Sequence, residues 1–519
     1  MFWEETMKLA SIFTDHMVIQ ANKPIRIFGE GKGKVRIDFL GKVTEYVSNA
    51  DSWCVTYPKA QYGGPYEMKV CFDAEEIILK DIYIGEVWLA SGQSNMEMVL
   101  FRTDGGIDEA KHAKNDKIRL ITIPRRVKRD EPLCGWHFEK RTGEDIPWQI
   151  CDEESALHFS AMGYYVAKEL QEKLGIAVGI VSCNWGGVPI ETYIERSRFY
   201  DVESLKPVIE KYNDSIKNLD WKKYNEEFSK GVLAWEEFYK NFDCDEVEEV
   251  REKGIRATAG WAKFPTPALP DGPYLPNSPG CLYESMISRI APFGFAGVLW
   301  YQGESNRAEG YCEKYLTFMK CMRDTFLDEK LPFYAVELAS FSNYWEEFYQ
   351  TTIDRFVTGE NWAFNREEQQ RATELDYNNY LVTSMGLGQL YDIHPMQKKE
   401  LAHRMAQKVL KHTYGFDLYA DQPIYKSAKF EGEKVIIELD NADGLGVRLP
   451  LDAVNMYVAD ESHILKKAKI EIDGNKLILS SDEVKKPVLA RYAFDNFYEG
   501  IHLYNKGGLP LAPFRTDKN

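Results

Sequence analysis

Residues 82–90, IYIGEVWLA, are rich in β-branched, aromatic and aliphatic side chains and lead directly into SGQSN at 91–95. A strand covered on both faces has this composition, and such a strand needs other elements packed above and below it. The character then changes: Ser91, Gly92, Gln93, Ser94 and Asn95 are small or polar turn formers, and Met96 to Leu100 resume an apolar pattern with one charge inside it, as a helix start does. A nucleophilic serine needs this setting. The strand end places Ser94, Gly92 relieves crowding, and the backbone N–H groups that follow point at whatever occupies the site. A helix-capping serine in an ordinary strand-to-helix loop fits the same residues.

Taken in order, residues 17–82 show short alternating runs (Val35–Phe39, Trp53–Tyr57, Tyr66–Phe72), and Gly63, Gly64 and Pro65 are expected to mark a turn of a small antiparallel β domain over 1–82. From 83 onward the units lengthen. Strands at 83–90, 118–123 and 178–183 with a helix near 160–174 predict an α/β part with a parallel sheet, running to about residue 420. Residues 203–253 have helical spacing, as in Phe228, Val232, Trp235 and Phe238, and end in the proline-rich FPTPALPDGPYLPNSPG at 264–280. This insertion, about 200–280, reads as a lid or cleft wall, or equally as a passive surface segment. Beyond it, 281–290, 311–327 and 399–412 are expected to be helical, and 297–301, 332–338 and 380–384 to be strands. From 424 to the end, β spacing returns. A further expectation pairs the two β-rich ends, 1–82 and 421–519, as one discontinuous domain.

A chain of 519 residues exceeds one ordinary core. With 81 acidic and 64 basic residues, its formal net charge of -17 opposes nucleic acid and anionic membrane surfaces as partners. Nine cysteines without a CxxC pair read as reduced thiols, and the nine histidines form no HxH or HExxH pair, so no metal site is signalled. The opening MFWEETMKLASIF carries glutamates where a signal peptide needs basic residues, and no stretch has the roughly 18 apolar residues of a membrane span. A cytoplasmic, cofactor-free protein is the expectation. Oligomeric state is not legible.

Three further clusters follow strand ends, where an α/β sheet keeps its chemistry. In NWGGVPI, 184–190, two glycines allow a backbone N–H to approach a ligand closely, or serve only the turn geometry. In QGESN, 302–306, the Gln302 amide suits an oxyanion and Glu304 suits the orientation of a base. A plain surface turn is the other reading. In LYDIHPMQ, 390–397, His394 stands two residues after Asp392 and is followed by Pro395, which holds it on a loop, as a catalytic base or equally as a structural histidine.

Together these blocks resemble the sialate O-acetylesterase branch of the SGNH hydrolase superfamily and its acetylxylan-esterase relatives. The resemblance spans nearly the whole chain: ASIFTDHMVIQANKPIRIFGEG, GGPY, VWLASGQSNM, NWGGVPIETYI, GVLWYQGESN, DIHPMQKKELAHRMA and HLYNKGGLPLAPFRTD. It implies a flavodoxin-like three-layer α/β/α core, accessory β-sandwich regions from the N- and C-terminal segments, and ester hydrolysis without a cofactor or metal. Carried over, Ser94 is the nucleophile and His394 the base, with the backbone N–H groups of Ser94 and Gly187 in the oxyanion hole. An asparagine holds the third donor position in much of the superfamily. Here the matching block reads QGES, which makes Gln302 the candidate. The superfamily spaces its acid three residues before the histidine, where this chain has Tyr391; Asp392 is the first choice and Glu304 the second.

The implied reaction is acyl transfer from an acetylated saccharide to Ser94, followed by hydrolysis with the same histidine as base. Trp185 and Tyr301 are candidates for a sugar-stacking wall, although aromatics beside strand ends are more often core, and Arg102, eight residues after Ser94, is a candidate for the cation facing a sialate carboxylate or simply a solvated arginine. Acetylated xylo-oligosaccharides compete with O-acetyl sialic acid as substrate. Two other classes fit some residues: a glycoside hydrolase using Glu304 and Asp392 as paired carboxylates, and a carbohydrate-binding protein without esterase activity.

Overall fold

The computed structural model describes residues 7–72, 75–127, 145–240, 270, 272–341, 362–390, 392–448, 450–498 and 502–517. The chain divides into two compact units, one made of residues 1–305 with 313–333 and the other of 306–312 with 334–519. The architecture is mixed α/β.

The first unit is built around the 18-residue strand Glu75–Gly92. Its N-terminal half pairs antiparallel with Gly63–Phe72, through Met68↔Leu79 and Phe72↔Glu75. Its C-terminal half is flanked by parallel partners on both sides, Val178–Asn184 and Gly297–Tyr301. The burial follows the pairing. Side chains alternate between exposed and buried in the first half and are continuously buried from Ile84 to Gly92. An antiparallel sheet keeps one wet face, whereas parallel strands are covered on both. On the far side of Val178–Asn184 lie Asn115–Thr122, parallel, and then the short antiparallel strand Gln149–Cys151.

The helix Ala161–Leu174 packs on this sheet. Ser160 caps it, its side chain accepting the Gly163 N–H at 3.1 Å, and Gly175 at φ 70° closes it. A Cβ on Gly163 would stand 3.1 Å from Ile180, so the glycine lets helix and strand approach closely.

Gly63, Gly64 and Pro65 correct one expectation. They do not form a turn but lie inside the strand Gly63–Phe72, at a register shift between Gly63 and Tyr66. A bulge is where a strand tolerates a residue that has no N–H to give.

The insertion contains the helices Lys206–Ile216 and Trp221–Lys240. The side chains of Trp235 and Phe238, and residues 241–253, 264–269 and 271, lie outside the described residues. Within the described part of the proline-rich segment, Tyr274 packs its ring 5.2 Å from Phe228 and 5.4 Å from Tyr224, and its N–H donates to the Tyr224 hydroxyl. That aromatic cluster ties the segment to the second helix.

The second unit carries the strand Asn379–Val382, joined by the Glu337 N–H donating to Val382 O at 2.9 Å, and the helices Trp362–Leu375 and Lys398–His412. Its C-terminal part forms two four-stranded sheets. One comprises Ile424–Glu431, Lys434–Asp440, Lys476–Ser480 and Lys469–Asp473; the other Lys466–Lys467, Met456–Ala459, Leu489–Tyr492 and Phe514–Arg515. Alternate residues of both sheets, among them Val435, Ile437, Leu477, Met456, Val458 and Tyr492, share one buried cluster. The period-2 pattern read from 424 onward is therefore that of strands with one buried face. Among the described residues no helix is long and apolar enough to cross a membrane.

Gly92 is the tightest point of the sheet. It sits at φ 144°, and a Cβ there would fall 2.1 Å from the carbonyl oxygen of Tyr301. Backbone cannot yield as a side-chain tip can. Gly92→Ala is expected to destabilise the fold by about 3 kcal/mol; a denaturant midpoint equal to that of the unaltered chain would contradict this.

Candidate active site

The register brings three strand ends level: Gly92 is opposite both Asn184 and Tyr301. The residues that leave the sheet there are Gln93–Ser94, Trp185–Gly187 and Gln302–Glu304. Three of the sequence clusters thus share one edge, beyond the carboxyl ends of parallel strands.

Ser94 is half-buried and opens the four-residue helix Ser94–Glu97, with Gln93 extended before it at φ -116° and ψ -156°. The turns on either side are stitched to it. The Gln93 N–H donates to Tyr301 O at 3.0 Å, and the Trp185 N–H to Gly92 O at 3.2 Å. The buried Tyr193 hydroxyl also donates to Gly92 O, at 2.7 Å. These bonds hold the strand end that carries Ser94.

In the run 185–187 the first two N–H groups are committed, Trp185 to Gly92 O and Gly186 to the Glu97 carboxylate at 2.9 Å. Among the described residues the Gly187 N–H has no acceptor. Gly187 stands at φ 75°, with open space where its Cβ would be. An uncommitted donor on an open, left-handed turn is what an oxyanion site requires.

Gln302 departs from expectation. Its side chain has no exposed surface, and its Nε2 donates to Gln93 Oε1 and to Val188 O, each at 3.2 Å. Both amide hydrogens are spent on joining three turns, so Gln302 supports the edge instead of facing a ligand. Gln93 Oε1 also accepts the Ser305 N–H at 3.2 Å.

For the two aromatics the core reading holds and the stacking wall does not. Tyr301 is fully buried within its strand, and Trp185 is 3% exposed with the Arg125 guanidinium 5.5 Å over its ring. Both aromatics are core. Burial first, and then the charge of Glu304, push the Tyr301 hydroxyl well above its ordinary range. Burial also pushes the Cys183 thiol at the next strand end up to about 12, which keeps it protonated. Arg102 is half-buried at the end of the short turn Leu100–Arg102.

The two candidate acids have different partners. Glu304 Oε1 accepts from Asn95 Nδ2 at 2.5 Å, which ties it to the residue after Ser94. Asp392 lies in the second unit with His394; its Oδ1 accepts the His394 N–H at 2.8 Å and stands 3.5 Å from His394 Nδ1. Asp392 and His394 are 28% and 29% exposed at their side chains, so the imidazole is held yet reachable. Tyr391 lies outside the described residues.

The family model of carbohydrate esterases described as sialic acid-specific acetylesterase matches residues 271–411, which include both QGESN and DIHPMQ. Human sialate O-acetylesterase is 21% identical, the match covering 98% of this chain and 92% of the human one. The chain is similar to human sialate O-acetylesterase along nearly its whole length. The mouse member is 24% identical over 64% of this chain and 60% of its own. A carbohydrate acetylesterase from Xanthomonas citri has a crystal structure that superposes with a TM-score of 0.74 at 26% identity, covering 99% of this chain and 100% of that one.

At this strand edge the residues that the sequence analysis passed over are Gln93, Asn95, Glu97, Arg125 and Tyr193. A signal existed for one of them: Glu97 is the charge inside the otherwise apolar Met96–Leu100. The contacts of the others come from distant segments, such as Arg125 and Tyr193 reaching the Ser94 edge.

Proposed function

We propose that this chain removes acetyl groups from O-acetylated sugars through a serine acyl-enzyme, with Ser94 as nucleophile, His394 as base and the N–H groups of Ser94 and Gly187 as oxyanion donors. The chain is a carbohydrate O-acetylesterase, a carboxylic-ester hydrolase; the family match and the whole-length likeness to a carbohydrate acetylesterase support this. The serine route rests chiefly on one observation: Ser94 stands on the same level strand edge as the uncommitted Gly187 N–H.

In the proposed reaction His394 takes the Ser94 proton as the serine oxygen attacks the acetyl carbonyl. The imidazolium then protonates the departing sugar oxygen. Water, activated by the same imidazole, releases acetate from Ser94. A flavodoxin-like three-layer α/β/α SGNH core over 83–420, flanked by β regions at 1–82 and 421–519, belongs to the same proposal. O-acetylated sialic acid is the first substrate class. Other acetylated saccharides are the second, because the Xanthomonas citri protein is described only as a carbohydrate acetylesterase.

Acetate release is the test, measured on O-acetylated sialic acid, acetylated xylo-oligosaccharides and a simple aryl acetate. Release from at least one sugar ester is expected. A folded sample that frees no acetate, or that creates new reducing ends, would return the question to a binding protein or a glycosidase.

Asp392 is the proposed orienting acid, because it touches the His394 ring and backbone whereas Glu304 holds Asn95. Asp392→Asn keeps an oxygen for the His394 N–H and removes the charge beside the imidazole. A fall in kcat of roughly 100-fold is expected, against less than about 5-fold for Glu304→Gln, whose amide oxygen still accepts from Asn95. The reverse ranking would transfer the role to Glu304.

A further inference from the structure

We infer that Glu97 is a positioning residue for the oxyanion hole, locking the Trp185–Gly187 turn to the helix that begins with Ser94, with Arg125 cancelling its charge. The inference rests on the serine reading proposed above.

Glu97 lies three residues after Ser94, one turn along a helix only four residues long. A helix so short has little stability of its own. Its orientation depends on what its side chains hold, and two contacts of Glu97 matter here. One carboxylate oxygen, Oε2, accepts the Gly186 N–H at 2.9 Å. The other, Oε1, is paired with the Arg125 guanidinium. The Arg125 and Glu97 side chains are 10% and 18% exposed, so the pair works where water screens it little.

The clamp closes from both sides of the turn. Arg125 lies 5.5 Å over the Trp185 ring, and Gly186 is pressed between the nucleophile and the acid. A Cβ on Gly186 would stand 3.1 Å from Glu97 Oε2 and 3.3 Å from the Ser94 Cβ. The bond to Gly186 orients the peptide that precedes the Gly186–Gly187 peptide, and the latter carries the uncommitted N–H. An oxyanion donor is effective only within a few tenths of an ångström of its place, and a misplacement of about 1 Å can cost roughly 100-fold in rate.

The charge balance fits the same role. A lone carboxylate beside a developing oxyanion would oppose the reaction. Paired with Arg125, Glu97 can hold Gly186 by a charge-assisted bond while the guanidinium offsets the carboxylate's charge.

The test compares Glu97→Ala and Glu97→Gln with the unaltered chain in kcat and KM for an acetyl ester, together with stoichiometric labelling of Ser94 by a fluorophosphonate. Glu97→Ala is expected to lower kcat about 100-fold with KM changed less than about 3-fold. Glu97→Gln, which keeps an acceptor for Gly186, should recover about 10-fold of that loss. Equal losses in the two variants, a kcat for Glu97→Ala within about 2-fold of the unaltered chain, or a loss confined to KM would overturn the positioning role. Should Glu97→Ala not fold, Glu97→Asp takes its place; its shorter stem withdraws the carboxylate from Gly186, and an undiminished kcat would equally overturn the role. Failure of the serine reading looks different. The unaltered chain would then release acetate with Ser94 unlabelled, and the inference would fall with it.

Discussion

Ser94→Ala should lower acetate release by on the order of 10⁴-fold or more, with folding unchanged. The change removes one oxygen from a half-buried side chain. The contact that keeps the short helix in place at this residue, Met98 N–H to Ser94 O at 2.8 Å, is made by the backbone and survives. Gly92, Gln93 and Tyr193 continue to hold the strand end. What disappears is the only atom that can carry the acetyl group in the proposed route. The residual rate would then come from the oxyanion donors and from substrate binding. The measurement is kcat on an aryl acetate and on one acetylated sugar, with the thermal midpoint recorded alongside. A variant within about 10-fold of the unaltered chain would remove Ser94 from the mechanism.

Replacing His394 by alanine is expected to have the next largest effect, a loss of roughly 1,000-fold or more in kcat. In the proposed reaction the imidazole acts twice, taking the proton from Ser94 and later from water, so its removal would slow both halves. Its position is prepared locally. Pro395 follows it, and Asp392 accepts its backbone N–H at 2.8 Å while standing 3.5 Å from Nδ1. A histidine held only for structure would leave kcat nearly intact and would move stability. Pre-steady-state measurement on an aryl acetate separates the possibilities further, because loss of the base should suppress both the acylation burst and the steady-state rate. A full burst with slow turnover would confine His394 to deacylation.

Much of this arrangement was legible in the linear chain. Mainly apolar runs at 83–90, 178–183 and 297–301 announced strands buried on both faces, and each is followed by glycine and polar residues because the backbone must turn where the sheet ends. The change from alternating to continuous burial near Ile82 was equally visible, and it marks a change of pairing partners within one strand. The helix Trp362–Leu375 gave no such sign. Its buried residues are Ala363, Asn365, Arg366, Gln369 and Ala372, and a polar inner face has no hydrophobic period to read. Its buried polar side chains reach backbone acceptors: Arg366 donates to Asp495 O, and Gln369 to Val336 O at 3.1 Å.

Local sequence thus determined where the strands end and which residue types gather there, since strand burial and turn formation depend on near neighbours. Only the tertiary structure decided which of those side chains face a ligand. Gln302, Tyr301 and Trp185 sit at the right strand ends, but their atoms are taken by Gln93, Val188 and Arg125 or sealed in the core. Gly187 keeps its N–H because its neighbours' donors are spent on Gly92 and Glu97. A hydrogen bond uses up its donor, and whether a partner from a distant segment has done so cannot be read from spacing along one chain.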